Sequence, residues 1–138
     1  MTEQVIDPPL VIWIIDDDLV SLFATHYCIE QAESNAKVQD FDTAETALQR
    51  YRENISDERS LPDIIFLDLI MPGMNGWQFL EELGRISAAH KKTDVYVLSA
   101  FSNSKDRQQA KAHAAILGHY DKPLSRIDME RTLLALNS

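Results

Sequence analysis

The sequence predicts an α/β domain, a doubly wound five-stranded parallel sheet with helices on both faces. Short apolar runs alternate with longer amphipathic segments from about residue 10 to the end of the chain, the βαβαβαβαβα order that yields a mainly parallel sheet. Three of the runs are dense in Val, Ile, Leu and aromatics with almost no alternation, as strands buried on both faces require. The chain has 138 residues, enough for one compact domain and too few for two.

Residues 1–9 are polar and end in Pro8-Pro9, which reads as a tail leading into a domain over 10–138. The first strand is Leu10–Ile15. It is followed by Asp16-Asp17-Asp18, of which Asp18 is best placed to cap the first helix. That helix carries His26 and Cys28, the latter as a small apolar group. Val38–Phe41 is the second strand, and Asp42-Thr43-Ala44-Glu45 opens the second helix, with Asp42 as N-cap and Glu45 able to reach back to it. Asn54 to Pro62 is polar and reads as a loop. The third strand is Asp63–Leu67. Asn75-Gly76 precedes the third helix, whose apolar positions Trp77, Leu80, Leu83 and Ile86 step by three. Val95–Leu98 is the fourth strand, and Ser102 or Ser104 caps the helix after it. Gly118–Tyr120 is a weak fifth strand, and Ser125-Arg126-Ile127-Asp128 is a capping-box pattern for the last helix. Trp13 and Trp77 read as packing residues, Tyr51 and Tyr96 as half-buried aromatics, with Tyr96 on the fourth strand and near the surface that would carry output.

Composition narrows the function classes. The chain is 45% hydrophobic and 25% charged, values of an ordinary globular protein rather than a disordered or fibrous one. Its longest apolar run, Leu10 to Ile15, is six residues, against about 20 for a membrane-spanning helix. The start lacks the basic and apolar stretches of a signal peptide. A single cysteine cannot form an internal disulfide, which fits a reducing, cytoplasmic compartment. With 22 acidic and 13 basic side chains the net charge is −9, a field that repels nucleic acid. His26, His90 and His113 are dispersed, and no spacing among them forms a soft-metal site.

The chemistry sits where the strands end. In an open doubly wound sheet, ligands bind in the crevice outside the carboxyl ends of the strands. Asp16, Asp17 and Asp18 come directly after the first strand, Asp68 after the third, Ser99 after the fourth, and Lys122-Pro123 after the fifth. Clustered carboxylates repel one another unless a cation neutralises them, and an all-oxygen set suits Mg²⁺. Lys122 and Ser99 remain as donors for an oxyanion. Metal, ammonium and hydroxyl around one carboxylate are the equipment of phosphoryl transfer, with Asp68 as nucleophile forming an acyl phosphate.

These residues carry a family resemblance. Ile15-Asp16-Asp17-Asp18, the run Phe66 to Gly76 with its Met71-Pro72-Gly73-Met74-Asn75-Gly76 loop, Leu98-Ser99-Ala100 and Asp121-Lys122-Pro123-Leu124 together resemble the receiver domain of two-component response regulators, over roughly Val11 to Leu136. The four blocks lie in order, with steps of 51, 31 and 23 residues from Asp17 to Asp68 to Ser99 to Lys122. The resemblance implies a flavodoxin-like sheet in the order 2-1-3-4-5. It implies that Asp68 accepts a phosphoryl group from a sensor histidine kinase or a histidine phosphotransfer protein. Asp16, Asp17, Asp68 and the backbone carbonyl of Ile70 would hold Mg²⁺. Ser99 would bond a phosphoryl oxygen and Lys122 pair with the group, across a cis Lys122-Pro123 bond. Phosphorylation would draw Ser99 inward and reshape the fourth helix, fifth strand and fifth helix, the face a downstream protein target reads. Whether that change also drives dimerisation is left open.

At the position three before the lysine, where receivers commonly carry Tyr or Phe, this chain has His119, so the switch would use an imidazole, with a pH dependence of its own, or a different relay. Tyr120 comes next and, by strand alternation, points to the opposite face. Ile70 and Phe101 flank the approach of a hydrolytic water; both are apolar, which predicts slow self-dephosphorylation. About two residues remain after the fifth helix, so output is expected by binding rather than through a further domain on the chain. Two other readings compete. A pseudo-receiver would bind partners without phosphorylation. An aspartate-nucleophile phosphohydrolase would show Asp-x-Asp at the first strand end, a spacing that Asp16 and Asp18 have, whereas the residue two after Asp68 is Ile70.

Overall fold

The computed structural model describes residues 9–87, 91–100 and 104–136. The tail before Pro9, the Ser102 cap, Phe101 and His90 lie outside the described residues. Five parallel strands, β1 (Val11–Ile15), β2 (Lys37–Phe41), β3 (Ile64–Leu67), β4 (Asp94–Ser99) and β5 (Ile116–Asp121), form one sheet in the order β2-β1-β3-β4-β5. Five helices connect and extend them: α1 (Leu19–Ala32), α2 (Ala44–Glu53), α3 (Gly76–Ser87), α4 (Ser104–Ala112) and α5 (Arg126–Leu136).

The dense apolar runs became the interior strands. Every described residue of β1, β3 and β4 is buried, while β2 and β5 are edge strands with mixed exposure. Alternation divides the interior into two cores. Trp13, Ile15, Ile65, Leu67, Val95 and Val97 pack under Ala47, Leu48 and Tyr51 of α2, Phe79 and Leu83 of α3 and Ala110 of α4. Ile12, Ile14, Phe66, Tyr96 and Leu98 face Leu22 and Ile29 of α1 and Met129 of α5. Helices on both faces are what commits the interior strands to being apolar on both sides.

Several local expectations shifted. Thr43, not Asp42, caps α2: its backbone is extended and its Oγ1 accepts the Thr46 N–H at 3.1 Å. That moves the frame by one residue and leaves Glu45 free of any back-bond. Asp63 precedes β3 and holds the far end of the sheet, accepting the Val11 N–H at 2.8 Å and pairing with Lys91 at 2.9 Å. β5 is longer than its sequence pattern because a bulge breaks the register opposite Val95 and Tyr96, leaving Leu117 exposed. Gly118 in that strand admits the Tyr96 ring, which a Cβ would meet at 3.2 Å. Tyr51 and Tyr96 are buried rather than half-buried: Tyr51 stands edge-on to Trp13, and Tyr96 stacks on Tyr120 with centroids 5.5 Å apart. Burial, with Tyr120 and Asp94 adding, pushes the Tyr96 hydroxyl up to about 12. Cys28 is half-buried beside the second core. Asp18 and Ser125 cap α1 and α5 as their spacing predicts.

Candidate functional site

The strand order makes β1 and β3 neighbours at the point where the winding reverses, so Asp16 and Asp68 emerge side by side. Ile15 pairs with Leu67, and the Asp68 N–H donates to the Ile15 carbonyl at 2.9 Å. Ser99 ends β4 opposite Asp121, and its carbonyl accepts the Lys122 N–H at 3.1 Å. Parallel strands all point the same way, so side chains more than a hundred residues apart in the chain meet at one rim. Asp16, Asp68 and Ser99 are 2%, 7% and 3% exposed, and Asp17 is open to solvent.

Lys122 is the cation of this cluster. Its Nζ lies 3.1 Å from Asp68 Oδ2, a hydrogen bond, and 2.9 Å from Asp16 Oδ2, a close ion pair without hydrogen-bond direction. Asp68 Oδ1 accepts the Ile70 N–H at 3.0 Å, and Asp16 Oδ1 accepts the Asp18 N–H at 3.0 Å. The Lys122-Pro123 peptide is cis. Burial raises the proton affinity of Asp68, outweighing the Ile70 N–H and the Lys122 charge, and Asp16 adds to it. Burial works against the Lys122 charge, but Asp16 and Asp68 more than offset it and hold the ammonium above its ordinary value.

One carboxylate oxygen each from Asp16, Asp17 and Asp68 can be chosen so that all three lie within 4.8 Å of one another. Three carboxylates against one ammonium leave an excess of negative charge in a partly dry site. The donors are all hard oxygen, and one of them, Asp16 Oδ2, is buried without a directed donor. That combination fits a small divalent cation such as Mg²⁺. Asp18, by contrast, is turned away to cap α1, accepting from Val20 and Ser21.

The loop after Asp68 is built around close approach. The Gly76 N–H donates to the Leu69 carbonyl at 3.0 Å, and a Cβ on Gly76 would sit 2.7 Å from the Asp68 carbonyl oxygen. Asn75 and Gln78 exchange backbone-to-side-chain hydrogen bonds at 2.9 Å each, which caps α3. Ile70 exposes two thirds of its surface, 66%, two residues after the Asp68 carboxylate.

His119 pairs in register with Val97, on the α4 side of the sheet, and Tyr120 is on the other side as alternation requires. Burial, with Arg107 and Lys111 adding, holds the His119 imidazole below its ordinary value against the pull of Asp121. These surroundings favour the neutral ring. Tyr120 is fixed to α5: its hydroxyl lies 2.8 Å from Thr132 Oγ1, which donates to the Asp128 carbonyl.

Sequence reasoning brought out every residue at this rim but missed the residue that ties its loop down. Glu45 Oε2 accepts the Met74 N–H at 3.2 Å, across 29 residues. Its position in the first turn of a helix carries no sign of that partner.

A family model described as "Response regulator receiver domain" matches residues 12–134. A two-component response regulator from Cytophaga hutchinsonii superimposes with a TM-score of 0.83 at 23% identity, over 92% of this chain and 96% of that one. A response regulator receiver protein from Dyadobacter fermentans gives 0.80 at 26% identity, over 93% and 98%. By sequence, the probable methanogenesis regulatory protein FilR2 of Methanothrix harundinacea is 24% identical over 127 residues, 92% of this chain and 81% of its own length.

Proposed function

This chain belongs to the response regulator receiver domain family, and from that membership we propose that it is a Mg²⁺-dependent phosphoacceptor, taking a phosphoryl group on Asp68 from a histidine of a sensor kinase or phosphotransfer protein. The observation that carries the proposal is the setting of Asp68. It is a nearly buried carboxylate whose Oδ2 faces Lys122 at 3.1 Å and whose Oδ1 is held by the Ile70 N–H, beside two further carboxylates.

In the transfer, an Asp68 carboxylate oxygen attacks phosphorus, a P–O bond forms, and the P–N bond to the donor imidazole breaks with its electron pair leaving on nitrogen. Lys122 lies between Asp16 and Asp68 and neutralises negative charge gathered there as the phosphoryl oxygens arrive. Ser99, buried at the end of β4, is the hydroxyl donor to one of those oxygens. Asp16, Asp17, Asp68 and the Ile70 carbonyl would hold the Mg²⁺, which when bound supplies positive charge to the phosphoryl oxygens. The protein is thus a reactant that is phosphorylated, with self-catalysed loss of the group, rather than a turnover enzyme.

The donor needs a surface as well as a site. α1 begins directly after the acidic turn and exposes Leu19, Val20, Phe23 and Tyr27, an apolar strip leading from the site. A net charge of −9 argues against nucleic acid as partner, and among the described residues no helix is long and apolar enough to cross a membrane. Output is by the α4-β5-α5 face to a protein target in the cytoplasm, with His119 and Ser99 as the moving pair.

Incubation with acetyl phosphate and Mg²⁺, then intact-mass spectrometry, tests this reading. A single phosphoryl adduct that disappears in Asp68→Ala and with a chelator is the expected result. A folded protein that acquires no adduct would make it a pseudo-receiver, and steady phosphate release without an adduct would make it a hydrolase.

A further inference from the structure

We propose that Glu45 is a positioning residue for the phosphoacceptor loop: by accepting the Met74 N–H it fastens the segment between Asp68 and α3 to the first turn of α2. The proposal rests on the reading of Asp68 as phosphoacceptor.

Met71 and Met74 pack the loop from Ile70 to Asn75 against the first core, and its other hydrogen bonds lie at its own ends. Ile70 bonds Asp68, Gly76 bonds Leu69, and Asn75 and Gln78 bond each other. Among the described residues, the Glu45–Met74 contact at 3.2 Å is the one hydrogen bond that ties this loop to another element. Gly73 is shaped to receive it. Its φ is +73°, a conformation glycine adopts without strain, and a Cβ there would lie 2.8 Å from Glu45 Oε2. The carboxylate therefore occupies the space that a side chain at Gly73 would take. On its own side, Glu45 is anchored in a helix start capped by Thr43, where the exposed N–H groups favour an anion. A carboxylate accepting from a backbone N–H makes a charge-assisted bond.

The consequence reaches the site through the main chain. Ile70 supplies the N–H on Asp68 Oδ1 and the carbonyl proposed for the metal, and it lies between the fixed β3 end and the fastened Met74. With Met74 released, the outer half of the loop samples more conformations, and the Ile70 peptide has to be ordered each time metal and phosphoryl group bind.

The test compares Glu45→Ala and Glu45→Gln with wild type in three measurements: amide hydrogen exchange of Met74 by NMR, Mg²⁺ affinity by titration calorimetry, and the rate of Asp68 labelling by acetyl phosphate. In Glu45→Ala the Met74 amide exchanges faster, while Mg²⁺ binding weakens and labelling slows by roughly 2- to 10-fold, the range of one net hydrogen bond. Glu45→Gln recovers most of both, because its amide oxygen still accepts. The thermal midpoint of each variant stays close to wild type, which separates positioning from folding. Wild-type Mg²⁺ affinity and labelling in Glu45→Ala would overturn the proposal, and so would equal losses in Ala and Gln, which would point to charge alone. A wild type that takes up no phosphoryl group would instead remove the phosphoacceptor reading itself, and the positioning role with it.

Discussion

Gly76→Ala is expected to damage both fold and site, through the addition of one methyl group. The new Cβ would lie 2.7 Å from the Asp68 carbonyl oxygen, 2.7 Å from Leu69 Cα and 2.9 Å from Leu69 Cδ2. Ordinary contact begins at 3.4 Å, so main-chain atoms must yield by about 0.7 Å, the shortfall between those two distances. The Leu69 side chain could rotate, but the Asp68 carbonyl and Leu69 Cα move only if the loop or the start of α3 moves. Such a shift also stretches the 3.0 Å bond from Gly76 N–H to the Leu69 carbonyl. Overpacking of this kind costs about 1–3 kcal/mol. The better helix propensity of Ala, up to about 1 kcal/mol inside a helix, counts for little at the first helical residue. The thermal midpoint should fall by on the order of 3–10 °C. Displacing the acceptor's own peptide should also slow labelling by acetyl phosphate, by about 10-fold or more. Gly84→Ala is the control in the same helix: a Cβ there meets nothing within 4 Å, so it should stabilise by about 0.5–1 kcal/mol. Urea unfolding of the two variants checks the signs. If Gly76→Ala were as stable as wild type, or gained stability as Gly84→Ala does, the close-approach argument would be wrong.

Four further outcomes are expected. Asp68→Asn should be more stable than wild type at pH 7 without metal. The raised carboxyl makes the folded state bind more protons than the unfolded one above the ordinary value of 3.8, so wild-type stability drops as pH rises through that window and stays lower above it. The advantage should vanish below about pH 4 and shrink on adding Mg²⁺, as melting curves at several pH values would reveal. Lys122→Ala should lose about 3 kcal/mol at neutral pH, because it leaves the Asp16 and Asp68 carboxylates without their cation, and should regain part of it on acidification; equal loss at all pH values would rule this out. For His26, burial lowers the imidazole, but the Asp40 hydrogen bond and charge, with Glu30, outweigh it and the net shift is upward. Its stabilisation is therefore complete below 6.5 and lost as pH rises through the folded value, so His26→Ala should lower the melting temperature at about pH 6 and hardly at about pH 9. Finally, Ile70 offers no polar group to orient water at the acceptor, so the phosphoryl half-life by intact mass should be minutes or longer, and Ile70→Glu or Ile70→Asn should change it; a half-life of seconds would count against that account.

Much of this was legible in the sequence, for reasons that differ by element. The interior strands were readable because burial on both faces leaves only apolar residues, and their chain order with intervening helices forces the doubly wound topology. Asp16, Asp17, Asp68, Ser99 and Lys122 were readable because parallel strands deliver their C-terminal residues to one rim. Asp18 and Ser125 were readable as caps because capping is local. Where an outcome depended on a neighbour from elsewhere in the chain, the sequence was silent. The cap of α2 is Thr43 rather than Asp42, and Glu45 is turned to a loop 29 residues away rather than back on its own helix.

The two glycines of the loop show the same boundary. Pro-Gly and Asn-Gly mark a turn from sequence alone, and the chain bends at Pro72, Gly73 and Met74. Yet only Gly73 has a positive φ, while Gly76 is required by the backbone of Asp68 and Leu69 lying where its Cβ would be. Likewise, alternation could assign His119 and Tyr120 to opposite faces, but only packing could bury Tyr96 against Tyr120 and fasten Tyr120 to Thr132. By itself the sequence determined periodicity, the caps at Asp18 and Ser125 and the residues at strand ends, because these arise from forces acting between near neighbours along the chain. Tertiary structure alone decided close approach, long-range hydrogen bonds and shifted proton affinities, because each depends on which distant atoms occupy the adjoining few ångströms.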